Sequence, residues 1–152
     1  ITNGGYDIKP TLIKGHFNKK NKREKILKND VSKKMNAILR KVVSEGTAKQ
    51  ANVAGYQVGG KTGTAQQPIH KEYSNIKINT IASIFPAKNP KYTLVVMLES
   101  PKTASKYVYN YRHKEGSYTG SPFNTAGWTS VEVAGQIIEK IGPILATKYI
   151  EN

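Results

Sequence analysis

The chain has 152 residues, 38% of them hydrophobic, enough for one domain with a buried core. It contains no cysteine, so disulfides and thiolate metal sites are excluded. Its histidines, His16, His70 and His113, lack ligand spacing, and neither a metal nor a cofactor is expected. The net charge is +14 and uneven, with eleven Lys or Arg in residues 14–41 against Glu24 and Asp30. Such a run can meet nucleic acid or an anionic surface, but charge runs usually only solvate a loop or helix face, and no nucleic-acid partner is expected. No stretch has the ~20 apolar residues of a membrane span or the pattern of a signal peptide.

Along the chain, the opening "ITNGGYDIKP" is turn chemistry, with Asn3-Gly4-Gly5 and Pro10 breaking the backbone. Residues up to 29 are polar and read as a loop or loose hairpin. Val31, Met35, Ile38, Leu39, Val42 and Val43 then fall at helical spacing, predicting an amphipathic helix over about 31–45. Asn29 or Asp30 can cap it, Arg40 and Lys41 suit its negative end, and Gly46 stops it. A strand is expected over about 56–65, and Ile78 to Phe85 alternates as a second. The continuous apolar run "YTLVVML" predicts a third at 92–99, buried on both faces. Pro86 to Pro90 joins these last two as an antiparallel hairpin. Residues 101–124 form a long loop rich in Tyr and Gly. Its basic, aromatic stretch could stack bases, but a loop beside a site is the favoured reading. A second helix over about 130–142 carries Val131, Ala134, Ile138 and Ile141 on one stripe until Gly142-Pro143 interrupts it. Helices segregated from an antiparallel sheet make the class α+β, in a single unit spanning 1–152.

The stretch "GYQVGGKTGTAQQP" at 55–68 supports two chemistries. Gly55, four residues, then Gly60-Lys61-Thr62 matches a phosphate loop, while Lys61-Thr62-Gly63-Thr64 matches the K-T-G element of penicillin-recognising enzymes. A phosphate loop needs a buried strand before it and a helix after it. "TAKQANVA" is too polar for the former, and Gly63 and Pro68 oppose the latter, an interior proline alone costing about 3 kcal/mol. The K-T-G reading needs a strand, with glycines where something approaches the backbone closely. Alternation then turns Lys61, Gly63 and Ala65 one way and Thr62 and Thr64 the other, unless twist at the glycines brings Lys61 and the hydroxyls into a common cleft. Such an edge suits an extended peptide ending in a carboxylate; the plain alternative is a Gly-rich edge strand with a surface lysine.

More of the chain carries the same signal. "NGG…KP", "MNAILRKVVSEGTAKQANVAGYQVGGKTGTAQ", "ASIFPAKNPKYTLVVMLESPK" and "TAGWTSVEVAGQIIEKIGPIL" resemble, in order and spacing, the C-terminal part of the transpeptidase domain of class B penicillin-binding proteins. The Ala-Gly-Trp before the last helix makes the resemblance strongest to their division-specific (septal) branch. The likeness is loose over 11–29 and 103–120.

The resemblance implies a partial fold of the penicillin-binding-protein and serine β-lactamase type, an antiparallel sheet with helices on both faces. It implies serine acyl transfer, in which an S-x-x-K serine attacks a D-Ala-D-Ala stem peptide and the acyl group passes to an amine on a neighbouring strand. Lys61 would serve the electrostatics and proton traffic of the site, and Thr62 and Thr64 would bind the substrate carboxylate. Gly63 would leave room for substrate, and the Thr64 N–H would be one of two oxyanion donors. The nucleophile is not expected in this chain. No S-x-N occurs, and the formal S-x-x-K at Ser74-Asn75-Ile76-Lys77 lies after K-T-G, where a strand is due. The chain alone is therefore expected to be inactive, and the parent to sit on the periplasmic face of the inner membrane, with no anchor in these residues. Peptidoglycan stem peptides and β-lactams are the implied ligands. Because the family's N-terminal strands are absent, the edge of 92–99 is expected to be open and to favour a homo-oligomer. Tyr118 to Ser121 would lie nearest the cleft.

Overall fold

The computed structural model describes residues 1–13, 23–69, 72–102, 106, 108–110, 117–119 and 124–150; His16, His70 and His113 lie outside them. The class is α+β. Helix α1 spans Asn29–Ser44, strands β1, β2 and β3 span Gly59–Ile69, Glu72–Phe85 and Tyr92–Glu99, and helix α2 spans Ser130–Ile150. The three strands form one antiparallel sheet in the order β1-β2-β3. Short strands β4 (Val108–Asn110) and β5 (Ser117–Thr119) pair antiparallel as a separate two-stranded sheet.

The sheet buries one face. Ile81 at its centre is fully buried, with Phe85 and Val96 on the same side, and the core is completed by Val43 of α1 and Val131, Ala134 and Ile138 of α2. Ala48, Ala51, Val53 and Val58 of the α1-to-β1 connection close it. The expectation that 92–99 is covered on both faces is not met. Tyr92, Leu94, Val96 and Leu98 turn inward, while Val95 and Met97 are 59% and 64% exposed, because no described element packs on the opposite face there. A continuous apolar run records what a strand can bury, and among the described residues nothing covers one face of β3.

Helix α1 also divides its apolar stripe. Val43 is buried, but Val31 and Ile38 are 39% and 54% exposed, and the polar Ser32 and Asn36 are buried instead. The opening segment causes this. Gly4 N–H donates to Ser32 Oγ (3.0 Å), Ser32 Oγ donates to Ile1 O, and Asn36 Nδ2 donates to Thr2 O (3.1 Å). Neither Asn29 nor Asp30 caps the helix: its N-cap is Lys28, without a side-chain bond, and Asp30 lies in the first turn, where its charge still suits the helix dipole. Arg40 does more than face the negative end. Its guanidinium donates to Val58 O (2.8 Å) and Asn52 Oδ1 (2.9 Å), tying the helix to the start of β1.

Three boundaries differ from expectation. Strand β1 starts at Gly59 rather than 56, because Gly55 and Gln57 take positive φ (85° and 48°) in the preceding turn. It runs on to Ile69 because β2 begins at Glu72 and keeps pairing with it past a register shift between Gln66 and Pro68, an irregularity in an edge strand of the kind that tolerates proline. Helix α2 does not stop at Gly142-Pro143 but continues to Ile150. Leu145 packs against the core beyond the proline, Tyr92 Oη donates to Leu145 O (3.3 Å), and Gly142 lets the Tyr56 ring lie against the helix. Such tertiary contacts outweigh the local preference against an interior proline.

Ile81→Ala should lower stability by about 2–5 kcal/mol, while Val95→Ala, on the open face of the same sheet, should stay within about 0.5 kcal/mol, both read from urea unfolding. Pro143→Ala restores a donor to an exposed position in α2 and should raise the unfolding midpoint.

Candidate active site

The residues Gly60-Lys61-Thr62-Gly63-Thr64 all lie in β1, which continues as a strand to Ile69. No helix follows Lys61, so the arrangement a phosphate loop requires is missing. Among the described residues β1 pairs only with β2 and forms one edge of the sheet, leaving main-chain groups along its other side for an added chain.

Alternation along β1 separates the motif. Thr62 and Thr64 stand on the face of Ile81 and Asn79, their partners in the ladder, and they line a cleft of about 500 Å³. Its other walls are Gly46, Thr47, Lys49 and Gln50 after α1 and residues 125–128 before α2, where Ala126–Trp128 form a 3-10 turn. Inside it Thr62 and Thr47 share a hydroxyl–hydroxyl bond (3.0 Å), and the Ala126 N–H donates to Thr64 Oγ1 (3.0 Å). Lys61 faces the opposite way, pairs with Ala82, and donates from Nζ to Thr62 O (2.7 Å). Twist at the glycines thus does not gather the lysine and the hydroxyls into one cleft in this structure.

The glycines of the motif have different reasons. A Cβ at Gly60 would stand 2.8 Å from Ala82 O and 3.3 Å from Ser83 Cα, so the pairing of β1 with β2 excludes a side chain there. A Cβ at Gly63 would meet nothing within 4 Å, and its φ is not positive, so neither packing within the chain nor backbone conformation asks for glycine. The space over Gly63 is open to something from outside.

Ser74 and Lys77 lie in β2, as the position after K-T-G suggests. The Ser74 hydroxyl donates to Gln67 O (2.7 Å) and accepts from Ile76 N–H (3.2 Å), and residues three apart in a strand point to opposite faces. This pair is no serine–lysine dyad. Thr47, Lys49, Gln50 and Thr125 were not singled out by sequence reasoning: Gly46 marks the end of α1 and hid that the residues after it fold back along β1. Tyr118 falls in β5, and Gly120 and Ser121 lie outside the described residues.

Residues 1–123 match the family model described as the penicillin binding protein transpeptidase domain. The chain belongs to this family. It is 31% identical over 110 residues to the probable peptidoglycan D,D-transpeptidase FtsI of Caulobacter vibrioides, a match covering 68% of this chain and 16% of the relative. To the penicillin-binding protein PbpB of Mycolicibacterium smegmatis it is 27% identical over 158 residues, covering 92% of this chain and 22% of the relative. The chain thus spans about a fifth of the length of these relatives. Among solved structures, the transpeptidase domain of Burkholderia pseudomallei penicillin-binding protein 3 superposes with a TM-score of 0.61 at 22% identity, over 80% of this chain and 32% of that one, which supports the fold.

Gly60→Ala should destabilise the chain by about 1–3 kcal/mol through its collision with β2, whereas Gly63→Ala should remain within about 0.5 kcal/mol. Thermal unfolding of the two variants checks the contrast.

Proposed function

We propose that this chain is the C-terminal, K-T-G-bearing part of a serine-type peptidoglycan D,D-transpeptidase acting in cell-wall synthesis and division. The observation that carries the reading is the edge position of Lys61-Thr62-Gly63-Thr64 in a chain of this family, with open space over Gly63 that the fold itself does not use. The reaction is acyl transfer. A serine from outside this chain attacks the carbonyl carbon of the penultimate D-Ala, the peptide bond breaks, and the terminal D-Ala leaves as its amine takes up a proton. An amine of a second stem peptide then attacks the acyl-enzyme, forms the new amide and releases the serine. β-Lactams enter by the same first step and stay attached.

Within that reaction β1 is one wall. The hydroxyls of Thr62 and Thr64 hold the substrate's terminal carboxylate, and Gly63 lets the peptide lie against the strand. The N–H of Thr64 supplies one oxyanion donor, worth roughly 3 to 4 kcal/mol of transition-state stabilisation. Lys61 supplies positive charge and takes part in proton movement. Its exposed, flexible side chain rests on Thr62 O in the isolated chain and is free to turn toward a partner carboxylate or hydroxyl. The parent protein works on the periplasmic side of the inner membrane, where peptidoglycan is cross-linked. Among the described residues no helix is long and apolar enough to cross a membrane.

The open edge of β3, with Val95 and Met97 exposed beside it, favours a second copy of the chain pairing along that strand.

Fluorescent penicillin should label the protein of the complete reading frame covalently and leave the 152-residue chain unlabelled. Labelling of the chain itself would show that the nucleophile lies within it. Lys61→Ala in the complete protein should cut acylation by at least about a hundredfold, the scale of one lost electrostatic contact to the transition state, without changing the melting temperature. In light scattering, the mass of the isolated chain should rise with concentration; a constant monomer mass would remove the pairing along β3.

A further inference from the structure

Thr64 is tied to a buried polar cluster that the fold alone does not require. Directly across the ladder from it stands Asn79, fully buried on the inner face, where its neighbour along the strand is Ile81. Its Nδ2 donates to Asn124 Oδ1 (2.8 Å) and to Thr129 Oγ1 (2.9 Å), using both amide protons. Each acceptor is fixed in that role by its own donation: Asn124 Nδ2 to Pro101 O (3.0 Å), and Thr129 Oγ1 to Thr125 O (2.8 Å). Among the described residues Asn79 Oδ1 has no hydrogen-bond partner, a burial that costs about 1–3 kcal/mol and that an apolar side chain would avoid.

Asn124 and Thr129 bracket the 3-10 turn whose first residue is Ala126. Held at both ends, the turn directs the Ala126 N–H onto Thr64 Oγ1 (3.0 Å). An N–H only donates, so Thr64 Oγ1 accepts there and its own proton must go elsewhere. Thr64 is exposed, and a carboxylate offers only acceptors. The hydroxyl is therefore set in advance as a donor to an anionic group lying over β1, at no reorganisation cost when the ligand arrives.

We propose that Asn79 is a positioning residue for substrate-carboxylate recognition: by clamping residues 124–129 it places the Ala126 N–H so that Thr64 presents its hydroxyl proton to the ligand. Asn79 itself touches no ligand. The inference rests on the transpeptidase reading and adds to it a residue from β2 and a donor from the segment before α2.

The test uses the complete protein and two probes, benzylpenicillin with its free carboxylate and the methyl ester in which that carboxylate is masked. Asn79→Leu keeps the size and suits the apolar inner face. It should lower the second-order acylation rate with the free acid by about tenfold or more, the scale of a hydrogen bond to a charged group, and leave the ester rate nearly unchanged. Thr64→Val should do the same, and the double variant should lose no more than either single one. Equal loss on acid and ester, or additive losses in the double variant, would overturn the proposal, since a merely structural role moves both probes together. Should Asn79→Leu fail to fold, Asn124→Ala, at a partly exposed position, carries the same comparison. Absence of acylation of the unmodified protein by either probe would overturn the transpeptidase reading itself. Hydrogen exchange separates the two failures. Residues 124–130 should exchange faster in Asn79→Leu than in the unmodified protein whether or not acylation occurs, and unchanged exchange would show that Asn79 clamps nothing.

Discussion

The antiparallel ladder between β1 and β2 is the constraint on which the remainder of the structure depends. Its register runs from Gly59 opposite Ile84 to Gln66 opposite Lys77 and is set by Ile81, which must lie in the core. A slip of one residue would send every inward side chain to the open face. With Ile81 inward, Thr62 opposite it is inward as well, and Thr64 opposite Asn79 follows. Lys61 and Gly63 are then necessarily on the other face. The division of the K-T-G motif between two sides of one strand is thus a consequence of burying one isoleucine.

The same ladder explains why two segments distant in sequence meet at β1. The connection after α1 is held by Arg40 on Val58 O and by burial of Ala48 and Ala51, which carries Thr47 to within hydrogen-bonding distance of Thr62. The segment before α2 is held by Asn79, which brings Ala126 to Thr64. Each threonine of the motif is met by one of these segments. The hydroxyls are therefore supported by hydrogen bonds from structure outside the strand, which fixes them more firmly than solvated side chains on a free edge.

The apolar surfaces divide differently. Val31 and Ile38 on α1 and Val95 and Met97 on β3 are side chains of a core type left in contact with solvent. Hydrophobic periodicity in the sequence records all of them as core, because it reports what a residue tends to bury and not whether a partner element is present. That is why α1 and β3 were legible as elements while their burial was not. The proline in α2 shows the reverse case. Local rules end the helix at Gly142-Pro143, but contacts of Leu145 and Tyr92 across the core continue it.

The sequence by itself determined the class, the two helices, the three strands, the strand character of "VGGKTGTA" and the family, because each depends on short-range periodicity, on glycine and proline, or on a motif of adjacent residues. It also weighed against a phosphate loop and a serine–lysine dyad at Ser74, since both need a helix where turn and strand residues stand, and the strands β1 and β2 removed both. Only the tertiary structure decided that Thr62 and Thr64 share a cleft with Thr47 and Ala126 while Lys61 turns away, and that Asn79 binds residues 45 and 50 positions further along. Those contacts join segments with no periodic or spacing relation in the chain. They arise from packing about Ile81, a constraint that acts on the folded sheet and leaves no local mark in the sequence.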